Sequence, residues 1–178
     1  TLAEIQTLDM TEGFSVKEGV LAANYPGRFP IWQSKFKVHT FADEIELIQG
    51  LNKSTGKNVG LYPEIKSPRF HILNGRIKME LMPELGIDLK LVQLIAMTSW
   101  KETVNIKDGV EAPYSYDWML KPENMSKIAQ YANGIGPWKP MLITQSENGK
   151  FAKSNGLTEA AHKAGLLVHP YTFRADKG

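Results

Sequence analysis

Tyr62, Glu64 and Lys66 are the residues of this 178-residue chain whose types and spacing could do chemistry together. They stand in the stretch Asn58-Val-Gly-Leu-Tyr-Pro-Glu-Ile-Lys66, where Val59, Leu61 and Ile65 alternate with Gly60, Tyr62, Glu64 and Lys66. That alternation predicts a buried strand with Tyr62, Glu64 and Lys66 on one face. A carboxylate and an ammonium at the end of an apolar strand are costly to bury without partners. One reading is that Glu64 meets a hard cation and Lys66 an anion such as a phosphate. The other is an ordinary ion-paired strand end, since surface ion pairs are common and contribute little.

The elements that must position these residues can be read along the chain. Thr1-Leu-Ala-Glu4 is a capping-box pattern, and Leu2, Ile5 and Leu8 predict a short amphipathic helix. Asp9 to Phe36 is rich in Gly and Pro, with Phe14, Tyr25, Trp32 and Phe36 between them. It reads as a long loop anchored by its rings. Thr40 caps a predicted helix whose apolar stripe is Phe41, Ile45, Ile48 and Leu51. Ser54-Thr-Gly-Lys57 lacks P-loop spacing and precedes a predicted strand, so it holds no nucleotide.

Leu73 to Leu85 reads as a further helix and Leu89 to Met97 as a second buried strand. Thr98 to Tyr116 reads as a polar loop. Lys121-Pro122 opens a helix with Met125, Ile128, Ala129 and Ala132 inward. Asn133 to Pro137 is a short strand or turn, Thr144 to Asn155 is polar, and Leu157 to Ala164 is a helix closed by Gly165. Leu166 to Val168 is a third strand ending at His169-Pro170-Tyr171. Strands alternating with helices predict parallel β/α units.

Composition narrows the function classes. A hydrophobic fraction of 42% and a charged fraction of 22% are those of a globular domain. A formal charge of +2 with no basic cluster argues against nucleic acid as a partner. The chain has no cysteine, which excludes disulfides, thiolate metal sites and a thiol nucleophile. No apolar run approaches the roughly 20 residues of a membrane-spanning helix.

At Tyr62-Pro-Glu-Ile-Lys66 the sequence resembles the glycerophosphodiester phosphodiesterases, in particular their bacterial periplasmic and surface-lipoprotein branch. Tyr25-Pro-Gly-Arg-Phe-Pro30, Val38-His-Thr-Phe41, Gln49-Gly-Leu-Asn52, Leu91-Val-Gln-Leu-Ile95, Tyr116-Asp-Trp-Met119 and His169-Pro-Tyr-Thr172 carry the resemblance through the rest of the chain. It implies an α/β fold, the TIM (β/α)8 barrel, with its site at the C-terminal ends of the strands. It further implies a divalent ion, Ca²⁺ first and Mg²⁺ as the alternative. Glu64 would be one of three carboxylate ligands and Lys66 would lie near the substrate phosphate. Tyr171 matches a position where relatives place an aromatic ring against the glycerol moiety. The implied reaction cleaves a glycerophosphodiester to glycerol 3-phosphate and an alcohol such as choline or ethanolamine.

The sequence departs from the family pattern in three ways. The opening strands, with the catalytic histidines and two metal carboxylates, are not in these residues, and neither is the closing strand. One internal helix-strand unit is expected to be missing between His71 and Ile72. Residues 1–178 therefore read as a partial barrel domain with an internal gap near 71–72; a complete barrel takes about 250 residues. His39, His71, His162 and His169 match no family catalytic motif, so no catalytic residue is assigned and this chain alone is expected to be inactive. Gln93 reads as core polar packing, and Trp32, Phe36, Trp100 and Trp118 as loop anchors or a wall over the cleft. The resemblance points to a periplasmic or cell-surface location, with a lipid anchor in the full chain. Open strand edges point to a homodimer. The alternative function is a ligand-binding protein on the same barrel that has lost its chemistry.

Overall fold

The computed structural model describes residues 1–28, 31–66, 89–107, 110–145 and 152–175. The chain divides into two compact units, Thr1–Glu64 and Ile65–Gly178.

The first unit opens with helix α1 (Leu2–Ile5), whose Thr1 and Glu4 form the expected capping box. The Asp9–Phe36 segment is more ordered than its Gly and Pro content suggests. Strands β1 (Phe14–Lys17) and β2 (Val20–Ala23) pair antiparallel. Their two-residue connection, Glu18 and Gly19, has positive φ at both positions, the geometry that matches the twist of a hairpin. Trp32 anchors the segment, as its ring lies 5.1 Å from that of Phe14 and its N–H donates to Thr11 Oγ1. The segment's two ends meet where Met10 N–H donates to Phe36 O and Val38 N–H to Leu8 O.

Helix α2 (Phe41–Thr55) forms as the sequence predicts. Thr40 caps it reciprocally with Asp43, and Gly56 closes it at φ 67°. Its apolar stripe is only partly covered: Ile45 and Ile48 are half-buried, while Phe41 and Leu51 are exposed.

The predicted strand over 58–66 does not join a ladder among the described residues. The cause is local. The Asn52 side chain donates to Val59 O (2.9 Å) and accepts from Val59 N–H (2.8 Å). One side-chain amide thus satisfies both backbone groups that a neighbouring strand would have used. The segment is extended but exposed from Tyr62 to Lys66.

The second unit holds the parallel sheet that alternation predicts. Strands β3 (Val92–Ile95), β6 (Gly134–Pro137) and β9 (Leu167–Val168) lie in the order β3-β6-β9 and all run parallel. Gly134 and Gly136 make the middle strand thin. A Cβ on Gly134 would stand 3.0 Å from Leu167 O, and one on Gly136 would stand 2.6 Å from Leu94 Cδ2. Helices α3 (Met125–Ile128) and α4 (Leu157–Lys163) connect these strands. Their inward residues Met125, Ile128, Leu157 and Ala161 form one core with Ile95 and Ile135. Ala132 is buried with them and Ala129 half-buried, as the spacing predicts. All buried apolar residues among those described belong to this unit.

Two exposed hairpins depart from the polar loops expected there. Strand β4 (Val104–Lys107) pairs with β5 (Val110–Pro113), and β7 (Ile143–Gln145) with β8 (Ala152–Ser154). The described residues form no closed barrel. The helix expected over Leu73–Leu85 and the gap expected near 71–72 lie outside the described residues.

Candidate functional site

In a sheet of parallel strands the chemistry gathers at the carboxyl ends, where loops meet with free side chains. Here that end is formed by the residues after Ile95, Pro137 and Val168. The β6 and β9 strands continue there as a parallel bridge between Trp138 and Tyr171. Lys139 N–H donates to Tyr171 O, and Tyr171 N–H donates to Pro137 O. Tyr171 is half-buried, and its hydroxyl donates to Ile95 O at 2.8 Å. The side chain therefore spans from β9 to β3 across the strand ends. Its proton is committed to that carbonyl, and its oxygen can still accept.

Trp100 and Trp138 meet edge-to-face at this end, with ring centroids 5.3 Å apart. The Lys139 ammonium lies 5.5 Å from the centre of the Phe173 ring. Trp100 follows Met97 in a short 3-10 turn set by Thr98, whose hydroxyl donates to Asp117 and accepts from Tyr116 N–H. Tyr116 is buried beneath, and that burial raises its phenol pKa above 10.0. The strand ends thus carry an aromatic corner and a cation.

Glu64 and Lys66 are placed differently from the sequence expectation. Both are exposed and neither stands on a strand. Tyr62 and Glu64 do share a neighbourhood. Partial burial, and then the Glu64 charge, hold the Tyr62 hydroxyl above its ordinary 10.0. The boundary between units falls between Glu64 and Ile65, with Tyr171 in the second unit.

A Ca²⁺ ion takes six to eight oxygen ligands. Among the described residues no group of three or more His, Asp or Glu side chains could hold a metal ion. The donor set around Glu64 therefore does not by itself fit the ion that the resemblance implies, and no chemical step is derived through one.

The first unit carries an open groove of about 660 Å³ lined by Met10, Glu12, Phe36, His39, Asp43 and Glu44. Its charged groups are engaged locally. Asp43 accepts from the Thr40 backbone N–H and hydroxyl, which lower its pKa. Glu12 accepts from Gly13 N–H, and His39 lies 3.8 Å from Glu44. His39 is thus local helix-start structure, as expected. His162 is exposed. Gln93 is half-buried, donates to Leu94 O and accepts from the Tyr131 hydroxyl, which agrees with polar packing.

Of the four residues read as anchors or as a wall, Trp32 pins the first unit's hairpin. Trp118 packs on the core with its Nε1–H donating to Tyr114. Trp100 alone among them stands at the strand ends. Sequence reading missed Trp138, Lys139 and Phe173. The signal was available for the first two: they directly follow the Gly134–Pro137 strand, where a parallel β/α unit presents its working side chains.

Such a parallel β/α sheet with side chains gathered at its carboxyl end defines the broad class. Comparison with known proteins makes it narrower. The profile of the glycerophosphoryl diester phosphodiesterase family matches residues 1–177. The chain belongs to this family. It is 46% identical over 213 residues to a glycerophosphodiester phosphodiesterase of Haemophilus influenzae, covering 99% of this chain and 58% of the relative. It is 32% identical over 213 residues to a glycerophosphodiester phosphodiesterase of Treponema pallidum, covering 99% of this chain and 60% of that relative. The chain thus spans somewhat over half the length of these relatives. Membership implies a TIM-barrel-like α/β fold and the general use of a divalent metal.

Proposed function

We propose that the protein to which these residues belong hydrolyses glycerophosphodiesters to glycerol 3-phosphate and an alcohol. The observation that carries this is the family match over residues 1–177, with relatives that bear that activity in their names. In the reaction, water adds to phosphorus as the bond to the alcohol oxygen breaks, and the alcohol leaves with a proton. The roles proposed for this chain's residues are binding roles. Lys66 supplies a point charge to the phosphate, Tyr171 sets its ring against the glycerol moiety, and Glu64 is one carboxylate toward a divalent ion. A Ca²⁺ ion, with Mg²⁺ as alternative, would polarise the phosphate when bound.

The alignments run over 213 positions, more than the 178 residues of this chain. That excess supports the reading that relatives carry an internal unit that these residues lack. The likeness to bacterial relatives supports a periplasmic or cell-surface location, with a lipid anchor and homodimer formation as further parts of the proposal.

The test is release of glycerol 3-phosphate from glycerophosphocholine with and without a chelator. Chelator-sensitive release is expected from the active protein, and Lys66→Ala should lower kcat/KM by about tenfold or more, through a lost charged contact. No release from glycerophosphocholine or glycerophosphoethanolamine would overturn the reading. A second reading, ligand binding without chemistry, is favoured by the lack of a metal-holding cluster among the described residues. Tight binding of the diester with no turnover would select it.

A further inference from the structure

The Trp100–Trp138 pair has a use that polar recognition of a phosphate does not explain. Edge-to-face contact engages the face of one indole and the edge of the other, and leaves the remaining ring surface uncovered. Trp100 is 42% exposed and Trp138 half-buried. A large aromatic side chain at the carboxyl end of a parallel strand is poorly explained as core, because the core lies between the sheet and helices α3 and α4. Both indoles are fixed by the backbone. Trp138 is held by its bridge to Tyr171, and Trp100 N–H donates to Met97 O in its short turn.

Indole faces attract cations, and above all weakly hydrated quaternary ammonium groups, whose charge is spread over methyl groups that also bury apolar surface. This corner already stands beside an aromatic–cation contact, Lys139 over Phe173. Lys139 follows Trp138 directly, so the strand end offers two recognition elements of opposite preference: electron-rich rings for a cation and an ammonium for an anion. A zwitterion satisfies both. We infer that the Trp100–Trp138 corner is the subsite for the alcohol half of the diester and takes a quaternary ammonium head group, with Lys139 facing the phosphate side. This rests on the phosphodiester reading above and adds a preference to it: a choline diester over an uncharged glycerol diester.

The preference is testable on the 178-residue chain by calorimetry and tryptophan fluorescence. Glycerophosphocholine should bind about fivefold tighter than glycerophosphoglycerol, the size of one exposed-to-partly-buried cation–π contact. Choline chloride should quench the fluorescence at concentrations where dimethylbutanol, its uncharged isostere, does not. Trp100→Ala and Trp138→Ala should each level the two diesters. Should Trp138→Ala fail to melt cooperatively, Trp100→Leu carries the same test, since it keeps the apolar bulk and removes the electron-rich face. Equal binding of the two diesters overturns the inference and leaves the phosphodiester reading standing. So does a preference that survives the Trp100 substitutions. Quenching by choline but not by dimethylbutanol, with neither diester bound, keeps the ammonium subsite and removes the phosphodiester reading. No binding of any of the four compounds overturns both.

Discussion

Tyr171 shows how a side chain at a strand end can be structural and available at once. Its hydroxyl ties β9 to the last carbonyl of β3, while its ring remains half-buried at the site. Tyr171→Phe removes the bond and leaves the Ile95 carbonyl without that donor. The expected cost is about 1 kcal/mol of stability in a urea melt. Affinity for glycerophosphocholine should stay within twofold, about 0.4 kcal/mol, because the ring is retained. A large loss of affinity without loss of stability would mean that the hydroxyl itself meets the ligand. The position of Tyr171 after an apolar strand was legible in the sequence. Its partner was not, because Ile95 stands far back in the chain and only the parallel register brings the two together.

Among the elements, helix α2 and strand β6 are the ones whose physics makes sharp predictions. The Asp43 carboxylate accepts from the Thr40 backbone N–H and hydroxyl, and its pKa is lowered from 3.8. A depressed carboxylate contributes stability that is present above the unfolded value and lost as pH falls through the folded one. Circular dichroism should therefore show more helix in the natural chain than in Asp43→Ala near neutral pH. The two should converge as pH falls well below 3.8. A difference that persists in acid would show that the charge is irrelevant to the cap. In β6, Gly134→Ala would drive a methyl group against the backbone oxygen of Leu167, 3.0 Å from the new carbon. Overpacking of this kind costs roughly 1–3 kcal/mol, and backbone in a ladder yields less than a side-chain end. Gly136→Ala, which meets the flexible end of Leu94, should be the milder of the two in the same melt.

For the molecule as a whole, the sharpest question is covalent continuity near His71. The relatives align over more positions than this chain has residues, and the family resemblance jumps one unit between His71 and Ile72. If the internal unit is absent from the polypeptide, trypsin will release the peptide Phe70-His-Ile-Leu-Asn-Gly-Arg76, and mass spectrometry will find it with the His71–Ile72 bond intact. Its absence from an otherwise complete digest would show that further residues stand between them. The distribution of burial bears on the same point. The second unit owns the buried apolar core among the described residues, while Leu2, Ile5, Leu8, Phe41 and Leu51 of the first unit remain exposed.

What could be read from the residues alone was whatever short-range physics governs. The caps of α1 and α2, the Pro-led turn into α3, the inward faces of α3 and α4, and the parallel order of alternating strands and helices follow from periodicity and capping chemistry. The hairpins β1–β2 and β4–β5 were missed because Gly and Pro content outweighed short runs of alternation. The strand expected at Tyr62–Lys66 was overruled by one distant side chain, Asn52, which took both hydrogen-bonding groups of Val59. The Trp100–Trp138 corner could not be foreseen as a pair, since its members lie on separate strand ends. Local patterns set which segments become helix or strand. The register of β3 against β6 and β9 set which side chains meet, because a contact between distant residues is decided by the packing of the elements that carry them.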